Sequence, residues 1–511
     1  MANLNIAEFR DKVLGCWTGK NIGGTLGTPF EGTREMPEVD LYAQILKTGT
    51  LPNDDLDLQL IWLFAAEELG AYRVTPKKLA EYWMSFQSAP MSEYSNCLNN
   101  IANGFYPPLS GSFNNDEWKW SNGAWIRSEI WACIFPGSPD DAARGAYIDS
   151  CLDHDGEGIW AEVFTAALES AAFVENNVEK AISIALKKID PECRIGASVS
   201  CALELYHQGV DFVEARQKIV EKNVETGFFQ APQNIGFMVL ALLYGEGDFE
   251  KTVTLTIRCG DDTDCTAATA ASVLGIMLGR SRMPEKWCSA IGNSIVTICL
   301  SPFGMRVPKT LDNLTDRVIA LARRTLPENP DLLPLSEAPT DLSDFTVSDS
   351  DKIMTLIKKH SSNEVMMDLP FARIGADLEG GPTIRPGEPK RIRFILHSIS
   401  QELAMLNLTM LLPEGWTAPE GSQFIIAGTR SGPQCGEVEA VIVPGEITEA
   451  ITFIPVRFTL SDRKMPELRY IPLQRENSVD LRLLVRNSDE SYRKYRRYGD
   501  KKVYPSAELG F

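Results

Sequence analysis

The side chains best suited to chemistry fall in two acidic clusters set in apolar sequence. In CGDDTDCTAAT (259–269), Asp261, Asp262 and Asp264 lie between TVTLTI and AATAASVLGIMLG; in LPNDDLDLQLIWL (51–63), Asp54, Asp55 and Asp57 open a second apolar run. A helix beginning near Thr263 puts Asp262 and Asp264 in its first turn, where unpaired N–H groups and the helix dipole favour ionised carboxylates. Carboxylates this close repel one another unless a cation sits among them. Hard oxygen donors with no His or thiolate pair beside them suit Mg2+ or Mn2+ better than zinc. Asp is also a favoured capping and first-turn residue, so either cluster alone has a purely structural explanation. Finding the same build twice weakens that explanation. The small residues of AATAA leave room for another element to approach closely.

Three further stretches extend the pattern. KVLGCWTGKNIGGTLGTPFEG (12–32) is glycine-rich and carries Glu31 at its end before Gly32, SNGAWIR (121–127) holds Asn122, Gly123 and Arg127, and DSCLDHDGEGIWAEVFTAALESA (149–171) sets His154 before a helix of small residues. With NDD and GDDTDCTAAT, these blocks resemble, in order, those of the ADP-ribosylglycohydrolases, an all-helical family that hydrolyses ADP-ribosyl linkages at a binuclear magnesium or manganese site. The resemblance spans roughly residues 6–320. It implies metal ligands at Asp54, Asp55, Asp262 and Asp264, and two Mg2+ ions as cofactor with Mn2+ as the alternative. It implies a catalytic role for Glu31, as general base or water-orienting group, shared with Asp55, and substrate contacts from Asn122, Gly123 and His154. Arg127 suits a structural ion pair equally well. Where the family commonly has Thr-Asp-Asp and Gly-Asp-Thr-Asp-Thr, this chain has Asn53 and Cys265 in place of threonines. Asn53 can offer an amide oxygen as ligand; Cys265 is a poor partner for Mg2+, so Thr266 is expected to turn into its place. Asp57 and Asp261 receive no role.

The elements that must position these residues are mostly helices. From residue 6 to about 325, apolar residues recur at helical spacing, as in DLQLIWLFAAEELGAY and IGFMVLALLYGEG, with Gly, Pro and Asn as punctuation. LPENPDLLPLSEAPTDLSDFTVSDSD has linker composition. After it come short β-rich runs at 391–397, 404–412, 438–443, 451–460 and 479–485. The expected fold is mainly α: a helical ADP-ribosylglycohydrolase-like domain over 1–330, a linker over 331–350, and a small antiparallel β-sandwich as accessory domain over 351–511. In the C-terminal tail Tyr492, Tyr495 and Tyr498 alternate with Arg and Lys, a pattern that can stack on bases but more often forms a solvated arm.

A net charge of −19 over 511 residues disfavours nucleic acid and anionic membrane as partners. Eleven cysteines, an odd number with no framework spacing, fit reduced thiols, and the absence of a basic-then-apolar start or of a run of 18 apolar residues fits a cytoplasmic protein. The expected partner is a small-molecule or protein-linked ADP-ribosyl or glycoside substrate; oligomeric state is not legible. The function implied is metal-dependent hydrolysis at the anomeric carbon of an ADP-ribosyl or related ribosyl group. No basic loop near the motifs independently supports the ADP half, which keeps open a glycosidase or nucleosidase acting on another glycoside. A third reading is an inactive ADP-ribose-binding or interaction scaffold. Retention of four aspartates argues against it, because buried carboxylates without a cation are costly.

Overall fold

A computed structural model describes residues 2–42, 49–88, 92–301, 304–400, 404–428 and 436–478. Among the described residues the chain divides into two compact units: one formed by the residues up to Glu93 together with Glu117–Lys359, the other by Tyr94–Asp116 together with His360–Ser478. The division differs from a cut at 331–350. Residues 94–116, inside the helical stretch, belong with the sandwich, whose apolar core includes Phe105 and Leu109. The Pro- and Ser-rich segment expected as a linker is fastened along the helical unit. Strand β1 (Leu4–Asn5) pairs in parallel with β2 (Leu335–Ser336), and the buried Lys188 ammonium donates to the carbonyls of Ser348 and Ser350 at 3.0 and 2.8 Å.

The helical unit is organised around an antiparallel pair, Ile6–Gly27 and Thr263–Leu278. Glycines at 15, 19, 23 and 27, four residues apart and so on one helical face, meet the small-residue face of the partner. A Cβ at Gly15, Gly19, Gly23 or Gly27 would fall 2.1–2.3 Å from the carbonyl oxygens of Gly275, Ala271, Ala267 and Thr263 respectively. The two backbones therefore touch, and both helices are buried along almost their whole length. This contact carries the C-terminal end of the first helix, and Glu31 just beyond it, to the N-terminal end of the second, where Asp262 and Asp264 sit.

The other unit is a sandwich of two sheets. One has the order β3 (Glu364–Leu369), β4 (Ala372–Leu378), β6 (Lys390–Ile399), β9 (Glu437–Ile442), all antiparallel. The second has the order β5 (Thr383–Ile384), β11 (Glu467–Arg475), β10 (Ile451–Leu460), β7 (Ala404–Met410), β8 (Gln423–Gly428). It is mixed rather than wholly antiparallel, because β5 joins β11 in parallel. Alternating inward residues such as Ile374, Phe394, Leu408, Val456 and Ile471 are fully buried in one core, each contributing about 1.5–3 kcal/mol of transfer free energy. The strand expected at 479–485 and the tyrosines at 492, 495 and 498 lie outside the described residues. No described helix is long and apolar enough to cross a membrane.

Candidate functional site

The first acidic cluster begins where the chain, after Leu51, reaches the short helix Asp54–Asp57, which continues after Leu58 into Gln59–Leu69. The glycine-rich helix sets its approach: the Thr25 hydroxyl accepts from Leu51 N at 3.2 Å, and a Cβ on Gly24 would fall 2.2 Å from Asn53 Nδ2. Asn53 is the helix cap, its Oδ1 accepting from Asp55 N at 2.7 Å. The amide oxygen expected as a metal ligand is thus already engaged with the backbone.

At the second cluster, Asp262 occupies the capping position of Thr263–Leu278 yet makes no capping hydrogen bond. Its Oδ2 instead accepts from Asn122 Nδ2 at 2.7 Å. The ligand atoms of Asp262, Asp264 and Cys265 lie within 4.8 Å of one another, and so do those of Asp54, Asp55 and Asp264. Asp264 belongs to both groups, so four carboxylates and one thiol from two helix starts form a continuous cluster. Glu31, following the turn Thr28–Phe30, is near enough to act on Asp262 electrostatically.

The electrostatics are those of a site with too much negative charge. Burial, then Asp264, then Glu31 push the Asp262 carboxyl well above its usual range. Asp55, fully buried, is likewise held high, by burial first and by Asp264 and Asp54, with Lys20 opposing. Its Oδ1 accepts no hydrogen bond and faces Lys20 Nζ at 3.5 Å. A largely buried set of carboxylate oxygens, with one ammonium against several acids, fits hard divalent cations such as Mg2+ or Mn2+. Cys265 is kept as a neutral thiol by burial and by Asp262 and Asp55, its Sγ 3.8 Å from Asp55 Oδ2.

Other expectations are placed differently. The Thr266 hydroxyl donates to Asp262 O at 2.9 Å, four residues back, while the Cys265 thiol adjoins the carboxylates. His154 is fully buried, with Nδ1 2.7 Å from Asp153 Oδ1 and Nε2 3.0 Å from Ser121 Oγ. Asp153 also takes both Arg127 Nη atoms at 2.7 and 2.8 Å, while Arg127 Nε reaches Asp149 at 2.8 Å and Nη1 donates to Gly123 O at 3.0 Å. Burial raises Asp153, but Arg127 and His154 outweigh it and hold that carboxyl below its usual range. This buried network anchors the 121–127 loop: His154 holds Ser121, Arg127 donates to Gly123 O, and Asn122 of the same loop reaches Asp262.

The two unassigned aspartates are structural ties. Asp57 Oδ2 accepts from Ile298 N and Cys299 N at 2.6 and 2.8 Å. Asp261, at φ 65°, turns out of the helix start; its carboxylate accepts from Phe229 N at 3.0 Å and Gln233 Nε2 at 2.6 Å, and its backbone pairs with Thr33. The residue that sequence reasoning missed is Lys20, 1% exposed, with Nζ 2.7 Å from Glu129 Oε1 as well as beside Asp55. Burial alone would lower its pKa, but Glu129 and Asp55 outweigh that and raise it. A charged residue inside the small-residue run WTGKNIGG was the available signal.

Residues 5–328 match the sequence profile of ADP-ribosylglycohydrolase. A solved structure described as an "ADP-ribosylglycohydrolase-related protein complex" aligns at 19% identity over 62% of this chain and 99% of that one, with a TM-score of 0.41. No curated protein matches at a significant level.

Proposed function

This chain belongs to the ADP-ribosylglycohydrolase family, the match covering residues 5–328, and from that premise we propose that it is a divalent-metal-dependent hydrolase cleaving a ribosyl glycosidic bond, with an ADP-ribosyl group as the substrate class. The observation that supports this reading best is the convergence of Asp54, Asp55, Asp262 and Asp264, with Asp264 common to both ligand groups. These four residues are proposed to hold two Mg2+ or Mn2+ ions. Bound there, such ions supply electrostatic positioning of a sugar's vicinal hydroxyls and activation of water.

The chain's own groups account for the rest. Lys20 and Asn122 fix Asp55 and Asp262 respectively. Glu31 orients the attacking water and takes its proton on a carboxylate oxygen as the bond from the anomeric carbon to the leaving group lengthens. The surrounding negative charge favours the positive, oxocarbenium-like ring of the transition state.

The test is turnover of ADP-ribosyl-arginine, ADP-ribosyl-serine and 1″-O-acetyl-ADP-ribose by the full chain, with and without Mg2+ or Mn2+. Metal-dependent release of ADP-ribose from any of them, lost in Asp262→Ala, is the expected result. If all three stay intact with metal present while a simple nucleoside or glycoside is cleaved, the substrate class is wrong. If nothing is cleaved and metal leaves the melting temperature unchanged, the chain is a scaffold.

A further inference from the structure

The sandwich unit carries a ligand set of different chemistry. Two of the chain's four histidines, His360 and His397, converge there on Glu364, the three ligand atoms lying within 4.8 Å of one another. Glu364 Oε1 hydrogen-bonds His397 Nε2, and Oε2 lies 3.4 Å from His360 Nδ1. The two rings are 4.9 Å apart and tilted by 36°.

Two departures from regular sheet structure build this cluster. Glu364 shares a face of β3 with Met366, which pairs with Gly375; Ile374, beside Gly375, points into the core, so Glu364 faces outward. An outward carboxylate on a sheet is normally solvated, yet Glu364 is 0% exposed. It lies flat because Gly375 has no side chain: a Cβ there would fall 1.5 Å from Glu364 Oε1. The second departure is a bulge in β6. Arg373 pairs with Ser398 and Ile374 with Leu396, so His397 has no cross-strand partner. The inward-outward alternation breaks at the same point, with Leu396 and Ile399 buried and both His397 and Ser398 turned outward. A bulge re-aims a side chain, and this one brings His397 over Glu364. His360, four residues before Glu364, closes the other side. Both imidazoles stay partly exposed, at 22% and 17%, which leaves the set reachable from solvent.

We propose that His360 Nδ1, His397 Nε2 and a Glu364 oxygen form a binding site for one divalent transition-metal ion, Zn2+ by preference, with a fourth position open to water or an exogenous ligand. Two imidazole nitrogens and one carboxylate suit zinc and its neighbours and are a poor set for Mg2+, so this site and the all-aspartate cluster select different ions. Glycine under the carboxylate and a bulge under one histidine each weaken a sheet. Both are accounted for if the geometry they create holds a metal.

The experiment is calorimetric titration of the chelator-stripped full chain with Zn2+ in excess Mg2+, repeated in Asp262→Asn/Cys265→Ser so that the thiol-containing group is disabled while the excess Mg2+ competes for Asp54, Asp55 and Asp264. One equivalent should still bind in that background. His360→Ala and His397→Ala, added singly, should each weaken it by at least about 100-fold, since losing even an outer partner of a ligand costs about 10–100-fold. His360 precedes β3 and its removal leaves every strand intact, so a folded His360→Ala protein is available even if His397→Ala disturbs the bulge. Absence of zinc binding in the Asp262→Asn/Cys265→Ser background, or undiminished binding in His360→Ala, overturns the proposal. Neither result bears on the aspartate cluster or the hydrolase reading.

Discussion

Replacing Asp262 by Asn separates a metal ligand from an ordinary helix-start residue. Asp262 makes no capping bond, and its ligand atom lies within 4.8 Å of those of Asp264 and Cys265. Two unit charges at that distance repel by about 3.5 kcal/mol at an effective dielectric near 20. The metal-free chain can avoid this by keeping a proton on the pair. Doing so near neutral pH costs at most about 4 kcal/mol, at about 1.4 kcal/mol per unit between an ordinary carboxylate pKa and the solution pH. By either route Asp262→Asn relieves about 3–4 kcal/mol in the metal-free fold, and the Asn oxygen can still accept from Asn122. At about 2 °C per kcal/mol for a large unit, metal-free Asp262→Asn should melt about 7 °C above wild type. Mg2+ at about a hundred times its Kd stabilises wild type by about 2.7 kcal/mol and should leave the variant unmoved. Differential scanning calorimetry, with chelator and with Mg2+, measures both. A metal-free variant that melts below wild type and keeps its Mg2+ response would show Asp262 to be a structural residue, and the argument from repulsion would fall.

Lys20→Met leaves Glu129 and Asp55 buried without their ammonium and should destabilise the metal-free chain by about 3–5 kcal/mol in urea; a loss under about 1 kcal/mol would mean that it does not compensate those charges. Gly23→Val puts atoms against the Ala267 carbonyl, which a Cβ already approaches to 2.2 Å, so stability should drop by about 1–3 kcal/mol and Mg2+ affinity should fall with it; unchanged Mg2+ affinity would show that helix contact does not set the site. Asn122→Ala removes the donor to Asp262 and should weaken Mg2+ about 10–100-fold while the melting temperature in chelator changes little, read by calorimetric titration. Asp57, raised to about 7 chiefly by burial, sits above its unfolded value, so its contribution is full at low pH and is lost as pH rises from about 4 to 7. Asp57→Asn can keep one oxygen for Ile298 N and Cys299 N, and should flatten the stability profile across that window; an unchanged slope would assign the loss elsewhere.

What the sequence determined by itself was local. The helix starts at Asp54 and Thr263 were legible because apolar period, acidic first turn and following small residues are all set within a few positions. The strands around 391–397, 404–412, 438–443 and 451–460 were legible from β-rich runs bounded by turns, whereas β3, β4, β5, β8 and β11 were missed, β3 and β4 because their apolar and polar residues are interrupted by Gly375 and outward charges. Even the close approach to AATAA could be anticipated, though not that its partner would be the glycine face of the first helix. Which of six aspartates share one cluster could not be read locally. Asp261 turns away because its backbone enters a left-handed conformation to pair with Thr33, and Asp57 because its carboxylate is taken by two amides some 240 residues on. The Thr266 hydroxyl donates to the backbone at the start of its own helix, and His154 is held by Asp153 within the Arg127 network. Lys20 acquired its role only when helices distant in sequence closed around it. Side-chain type and period fix where an element starts and which face it offers, but the meeting of two such faces depends on backbone contact between residues some 250 positions apart, and that only the tertiary structure decided.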